Sequence, residues 1–128
     1  MIILDTDVLI EIFDRDSERG DEALEAITGS GEDIATTSIN LHEILYGLEK
    51  YARPVKDVLL IPVLPYTKRD AQTSAKIELK AERSGHAIRR ADAMIASVAV
   101  NHGSPLYTFD VKHFRPLEDM GLKLFSTT

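Results

Sequence analysis

The chain contains no cysteine. Disulfide staples and thiolate metal sites are thereby excluded, and a reducing compartment, the cytoplasm, is the expected location. No segment approaches the roughly 18 consecutive apolar residues that cross a bilayer, so no membrane partner is expected. The first residues carry no basic stretch, and Asp5 interrupts their apolar run, so no secretory signal is expected either. There is no glycine-rich phosphate loop of the P-loop or dinucleotide type. The four histidines, His42, His86, His102 and His113, lack the paired spacing of zinc ligands and receive no metal role. Linkers, repeats and low-complexity stretches are absent as well. The 128 residues are therefore expected to form one domain spanning 1–128.

What is present is an apolar fraction of 44%, enough for a real core, and a lopsided charge. Residues 1–50 hold thirteen acids against three bases; residues 51–128 hold eight against twelve. The net charge of −6 argues against tight nonspecific binding to nucleic acid. A locally basic face beside an acidic site is still compatible with holding a phosphate backbone.

Short apolar runs alternate with helical patterns. Met1–Leu4, Ile34–Thr36, Ile61–Leu64 and Pro105–Phe109 read as strands, and Leu122–Phe125 as a fifth. Pro62 and Pro65 bracket the third and mark it as an edge strand. Thr6 is expected to cap a short helix reaching Phe13, and Arg15–Gly20 to form a turn. Asp21–Thr28 continues helical and stops at Gly29-Ser30-Gly31. Ser38 is expected to cap a helix that buries Leu41, Ile44, Leu45 and Leu48. Asp70–Ser84 and Ala91–Asn101 complete the helices. Such alternation predicts an α/β fold with a parallel sheet covered on both faces. Ligands of these sheets bind beyond the carboxyl ends of the strands, where Asp5 and Asp110 fall.

Four acids stand in unusually apolar settings: Asp5, Glu43, Asp92 and Asp110. A carboxylate among apolar side chains costs free energy unless it is paired or binds a cation. Asp92 makes the strongest case, because its helix is apolar almost all round and therefore buried. The helix dipole offsets only about 0.3–1 kcal/mol of that cost. Asp5 and Asp110 have the alternative of capping the helices that follow them. Glu43 lies opposite the Leu41/Ile44/Leu45/Leu48 stripe, so a solvated position is its alternative. Gly47, costly inside a helix, is read as leaving room beside Glu43. Thr108 is placed to donate a hydroxyl near Asp110. Asp7, in the first turn after Asp5, reads mainly as a dipole partner with a supporting role. Four acids spread over the whole chain suggest one shared site for a divalent cation.

These motifs together resemble the PIN-domain nucleases, and most closely the VapC-type toxins of toxin–antitoxin pairs. The matching pieces are Ile3-Leu4-Asp5-Thr6-Asp7-Val8-Leu9-Ile10, Ser38–Gly47 around Glu43, Arg90-Ala91-Asp92-Ala93-Met94-Ile95-Ala96 and Thr108-Phe109-Asp110-Val111-Lys112-His113-Phe114. The resemblance implies a three-layer α/β/α fold with a five-stranded parallel sheet. It implies Mg²⁺ or Mn²⁺ held by Asp5 and Asp92, with Glu43 and Asp110 completing a catalytic pocket. It further implies endonucleolytic cleavage of RNA, a homodimer, and neutralisation by a VapB-type antitoxin. Such an antitoxin would present an arginine or lysine to the four acids and lie in an apolar groove along Val8–Phe13 and Leu41–Leu48. Hard carboxylate oxygens suit those two ions. Arg89 and Arg90, which lead into Asp92, are the candidate contacts to RNA phosphates.

Two other readings compete. Asp5-Thr6-Asp7-Val8 also fits the leading motif of haloacid-dehalogenase-like phosphatases, in which Asp5 itself would attack phosphate. The late paired-acid motif of those enzymes is missing, and that fold gives Glu43 no role. A non-catalytic module of the PIN type, binding RNA or a partner protein, is the other reading.

Overall fold

The computed structural model describes residues 1–127. Its central strand, β1 (Ile2–Leu4), is wholly buried. Successive strand side chains point to opposite faces, and here neighbouring residues serve different cores. Ile2 and Leu4 pack with Val8, Leu9, Ala23, Ile27, Ile44 and Leu48. Ile3 packs with Ile77, Ala93, Ile95, Leu106 and Phe114. The three-layer α/β/α arrangement follows from that alternation.

Strand β1 pairs in parallel with β2 (Ile34–Thr37) on one side and β4 (Leu106–Tyr107) on the other. Strand β3 (Val63–Leu64) pairs in parallel with β2, giving the order β3-β2-β1-β4. The third strand lies at the edge, as Pro62 and Pro65 predict. The expected fifth strand is reduced to one parallel bridge, between Leu124 and Leu106. Two hydrogen bonds hold it, Leu106 N–H to the Lys123 carbonyl and Phe125 N–H to the Leu106 carbonyl. With β4 only two residues long, no further ladder can form, and the sheet has four strands rather than five.

Helix α1 (Thr6–Leu9) is capped by Asp5, whose Oδ1 accepts from the Thr6 amide, and not by Thr6. The chain then widens into a π turn, Ile10–Asp14, so the helix does not run evenly to Phe13. Helix α2 (Glu18–Ser30) begins inside the predicted turn because Ser17 Oγ accepts from the Gly20 amide at 3.0 Å. Helix α3 (Ser38–Lys50) is capped by Thr37 rather than Ser38. Helix α4 (Lys68–Arg83) opens with a reciprocal capping box between Thr67 and Asp70. Helices α5 (Arg90–His102) and α6 (Val111–Phe114) follow, and a 3₁₀ turn, Arg115–Met120, extends α6. Among the described residues no helix is long and apolar enough to cross a membrane.

The strand order positions the site. From β1 the chain steps outward to β2 and then β3, and the link from β3 crosses back over both to β4. The direction of connection thus reverses between β1 and β4, and a crevice opens there at the carboxyl ends. Asp5 follows β1 and Thr108 follows β4, at that crevice.

Candidate active site

Asp5, Glu43, Asp92 and Asp110 open into one cavity of about 310 Å³, together with Thr6, Asp7 and Arg89. They come from the end of β1, the first half of α3, the first turn of α5 and the residue before α6.

Asp5 is 7% exposed and fully occupied by donors. Its Oδ1 accepts from Asn40 Nδ2 at 2.9 Å as well as from the Thr6 amide, and its Oδ2 from Thr108 Oγ1 at 2.7 Å. Burial, and then the negative charge of Asp7, nevertheless push its pKa up to about 7. Asp7 is also raised, chiefly by burial. Its Oδ2 accepts from the Phe109 amide at 3.1 Å and lies 3.3 Å from Thr108 Oγ1, tying α1 to the loop after β4. Its Oδ1 is buried without any hydrogen-bond partner.

Glu43 is half-buried, and its Oε1 accepts from Thr6 Oγ1 at 2.6 Å. It is not a freely solvated helix residue. Gly47, however, does not make room for it, since a methyl group there would meet nothing within 4 Å. Asp110 is exposed, and its side chain makes no capping bond to α6, which removes the alternative explanation for its presence. Its own amide donates to Thr108 Oγ1 at 3.1 Å.

Asp92 is 3% exposed. Its Oδ2 accepts from Arg89 Nε at 3.0 Å and meets His113 Nε2 at 2.9 Å; its Oδ1 accepts from Arg89 Nη2 at 3.3 Å. Arg89, though largely exposed, is therefore tied to the rim of the pocket. Arg90 is not: it reaches back to Glu78 on α4 at 3.1 Å and lies outside the cavity. Two adjacent residues at a helix start point about 100° apart, so only one can face the acids. His113, given no role from its spacing, is brought in by the fold. The signal missed was its position three residues after Asp110, on the turn that closes over Asp92. Asn40 and Thr6 were missed too. They lie near Glu43 and Asp5 in the chain, but only the fold turns them onto carboxylates.

Among the described residues no three Asp, Glu or His side chains stand close enough to cage an ion in this arrangement. Asp92, for its part, is paired with Arg89 and His113. The donor set still fits a hard cation. It offers only oxygen ligands, one of them orphaned on Asp7, beside an Asp5 carboxyl held in a costly environment. Arg89 supplies the positive charge in that position now.

A family model, described as PIN domain, matches residues 2–117. The chain belongs to the PIN domain family. Ribonuclease VapC1 of Methanocaldococcus jannaschii is 29% identical over 136 aligned positions, covering 97% of this chain and 86% of that one. Among solved structures, VapBC2 from Rickettsia felis bound to a promoter DNA fragment superposes with a TM-score of 0.79 at 22% identity, over 98% of this chain and all of that one. VapBC-1 from nontypeable Haemophilus influenzae gives 0.80 at 21%, over 99% and 98%. FitAcB from Neisseria gonorrhoeae gives 0.78 at 24%, over 99% and 98%. The phosphatase reading of Asp5-Thr6-Asp7 is set aside by this membership. The hydrogen bonds agree, because both Asp5 oxygens are engaged by donors rather than free to attack.

Proposed function

We propose that this PIN domain, spanning 1–128, is a VapC-type endoribonuclease acting in the cytoplasm, the toxin of a toxin–antitoxin pair. The observation that carries the reading is the meeting of four acids from four distant segments in one cavity of a PIN fold. Asp5 and Asp92 are the proposed ligands of Mg²⁺ or Mn²⁺, and Glu43 and Asp110 complete the catalytic set. Such an ion supplies a nucleophilic water at neutral pH and neutralises charge on the phosphate. The chain's own groups position the acids. Asn40 and Thr108 fix the plane of Asp5, Thr6 holds Glu43 and His113 orients Asp92. Asp7 fastens the loop that carries Thr108. Were Asp92 to hold such an ion, Arg89, which now pairs with it, would be available to an RNA phosphate.

Two partners belong to the same reading, a second copy of the chain and a VapB-type antitoxin. The apolar groove expected for the antitoxin along Val8–Phe13 and Leu41–Leu48 is largely spent on the core. Val8 and Leu9 are fully buried and Ile44 and Leu48 nearly so. The large apolar side chains left at the surface include Tyr46, Tyr51, Leu59 and Leu60. An antitoxin arginine reaching Asp92 would take the place that Arg89 holds now.

The deciding experiment incubates the purified protein with mixed cellular RNA, with and without Mn²⁺. Metal-dependent internal cleavage is expected, and Asp92→Asn should abolish it while the circular-dichroism spectrum stays unchanged. Asn keeps the shape of the side chain and loses the charge that holds the ion. Full activity in Asp92→Asn rejects the ligand assignment. A wild-type chain that binds RNA without cutting it in any divalent ion supports the non-catalytic alternative.

A further inference from the structure

A larger cavity, of about 690 Å³, lies between α4 and the Arg115–Met120 turn. Lys80, Lys112 and Arg115 line it, with Ala81, Pro116 and Met120 as apolar surface. A smaller cavity of about 350 Å³ shares His86, Lys112 and Pro116 with it, and carries Asp110 and His113 at its other end. Asp110 in turn lines the carboxylate pocket. The three hollows therefore adjoin, and the sign of the charge changes along them from acidic to basic.

Helix α6 is the divider. His113 contacts Asp92, while Lys112, one residue earlier and turned about 100° away, faces the basic hollow. Lys80, Lys112 and Arg115 are all exposed, and among the described residues none has an ion-pair partner. Arg15, Arg53, Arg89 and Arg90, by contrast, each pair with a carboxylate. Against Glu118 and Asp119 of the same lining, these three cations leave the hollow with a balance of +1, in a chain whose net charge is −6 and beside a pocket lined by five acids. The phosphate contacts fall to the three cations, since Glu118 and Asp119 repel an anion.

The geometry points to a track for the phosphodiester backbone of single-stranded RNA, leading from the carboxylate pocket past α6 and held by Lys80, Lys112 and Arg115. It rests on the nuclease reading above and adds where the strand runs beside the scissile bond. The lysine point charges and the arginine fork both suit backbone phosphates, contacts that position a strand without reading its sequence.

The test measures binding of a short fluorescein-labelled single-stranded RNA of mixed sequence by anisotropy across a salt series, in chelator so that the RNA stays whole. Each phosphate contact on a single strand contributes about 0.7 to the slope of log affinity against log salt. Lys80→Gln/Lys112→Gln/Arg115→Gln is therefore expected to lose roughly tenfold or more in affinity at low salt and about 2 in slope. These side chains lie at the surface, and a melting curve confirms that the variant is folded. The control, Lys56→Gln/Lys68→Gln/Lys123→Gln, removes equal charge elsewhere and should bind nearly as wild type does. An unchanged slope in the first variant, or an equal loss in the control, overturns the track while leaving wild-type cleavage, and with it the nuclease reading, standing. A wild-type chain that neither binds nor cuts RNA overturns both.

Discussion

Two buried aspartates show how environment sets the role of a residue. For Asp70, burial alone would raise the pKa, but hydrogen bonds from Asn101 and Thr67 bring it below the ordinary value. It is a structural carboxylate. Asp5 has as many donors, yet burial and Asp7 win, and its pKa rises to about 7. With a folded-state pKa above the unfolded 3.8, Asp5 is most favourable to folding at acid pH. The penalty begins as the pH passes 3.8, where the unfolded chain ionises, and is complete above about 7. It amounts to something on the order of 4 kcal/mol. In chelator, Asp5→Asn is therefore expected to melt higher than wild type at pH 8, with the gain shrinking steadily as the pH falls towards 4. Thr108 Oγ1 can accept from the new amide, so the bond is kept with its direction reversed. A gain that is the same at both pH values would show that relief of charge is not its cause. The four acids were legible in the sequence because each is an ion in an apolar run. Asn40, Thr6 and His113 were not, because a polar residue near a helix start carries no mark of what it will face.

Elements were legible where one rule acted alone. The edge position of β3 followed from two prolines, and the buried α5 from a composition apolar almost all round. Boundaries shifted where two capping residues competed. Thr37 precedes Ser38, Asp5 precedes Thr6, and in both cases the earlier residue took the cap. Close contact between elements was invisible to any local rule. Gly20, inside α2, sits so near the π turn that an added methyl group would fall against the Glu11 carbonyl. Gly20→Ala should therefore force the two elements apart, costing roughly 1–3 kcal/mol. Gly29 lies in the same helix with open space around it, and Gly29→Ala should stabilise by up to about 1 kcal/mol. Opposite shifts in urea midpoint are the expected pair of outcomes. Shifts of the same sign would mean that α2 does not depend on that contact.

At the scale of the whole molecule, the proposed cation site would couple ion binding to folding. The carboxylate pocket gathers acids that repel one another in the absence of a counter-ion, and Arg89 supplies that counter-charge from within. A cation bound only by the folded state adds RT ln(1 + [L]/Kd), about 2.7 kcal/mol at a hundredfold excess over Kd. Mn²⁺ should accordingly raise the melting temperature of wild type at neutral pH. The rise should shrink on acidification and vanish in Asp5→Ala/Asp92→Ala. Arg89→Gln should bind Mn²⁺ more tightly by calorimetry, since the ion no longer displaces a resident guanidinium. Equal shifts in wild type and the double-alanine chain would place the ion elsewhere. The number of strands was the one global feature misread. Leu122–Phe125 has the composition of a strand, but its neighbour β4 is too short to pair with it beyond a single bridge.

The central place of β1 also sets the order of events in time. Synthesis delivers this strand before either of its neighbours, and one of them, β4, follows only after β2, β3 and helices α1 to α5. The bond between Asp5 and Thr108 spans 103 residues, and Ile3 pairs with Leu106. Until Leu106–Thr108 has left the ribosome, β1 has an open edge and Asp5 lacks a hydroxyl that orients it. Contacts so distant in sequence form late and slowly. A chain read as a ribonuclease thus stays without a finished site until the segment that carries Thr108 has emerged and docked.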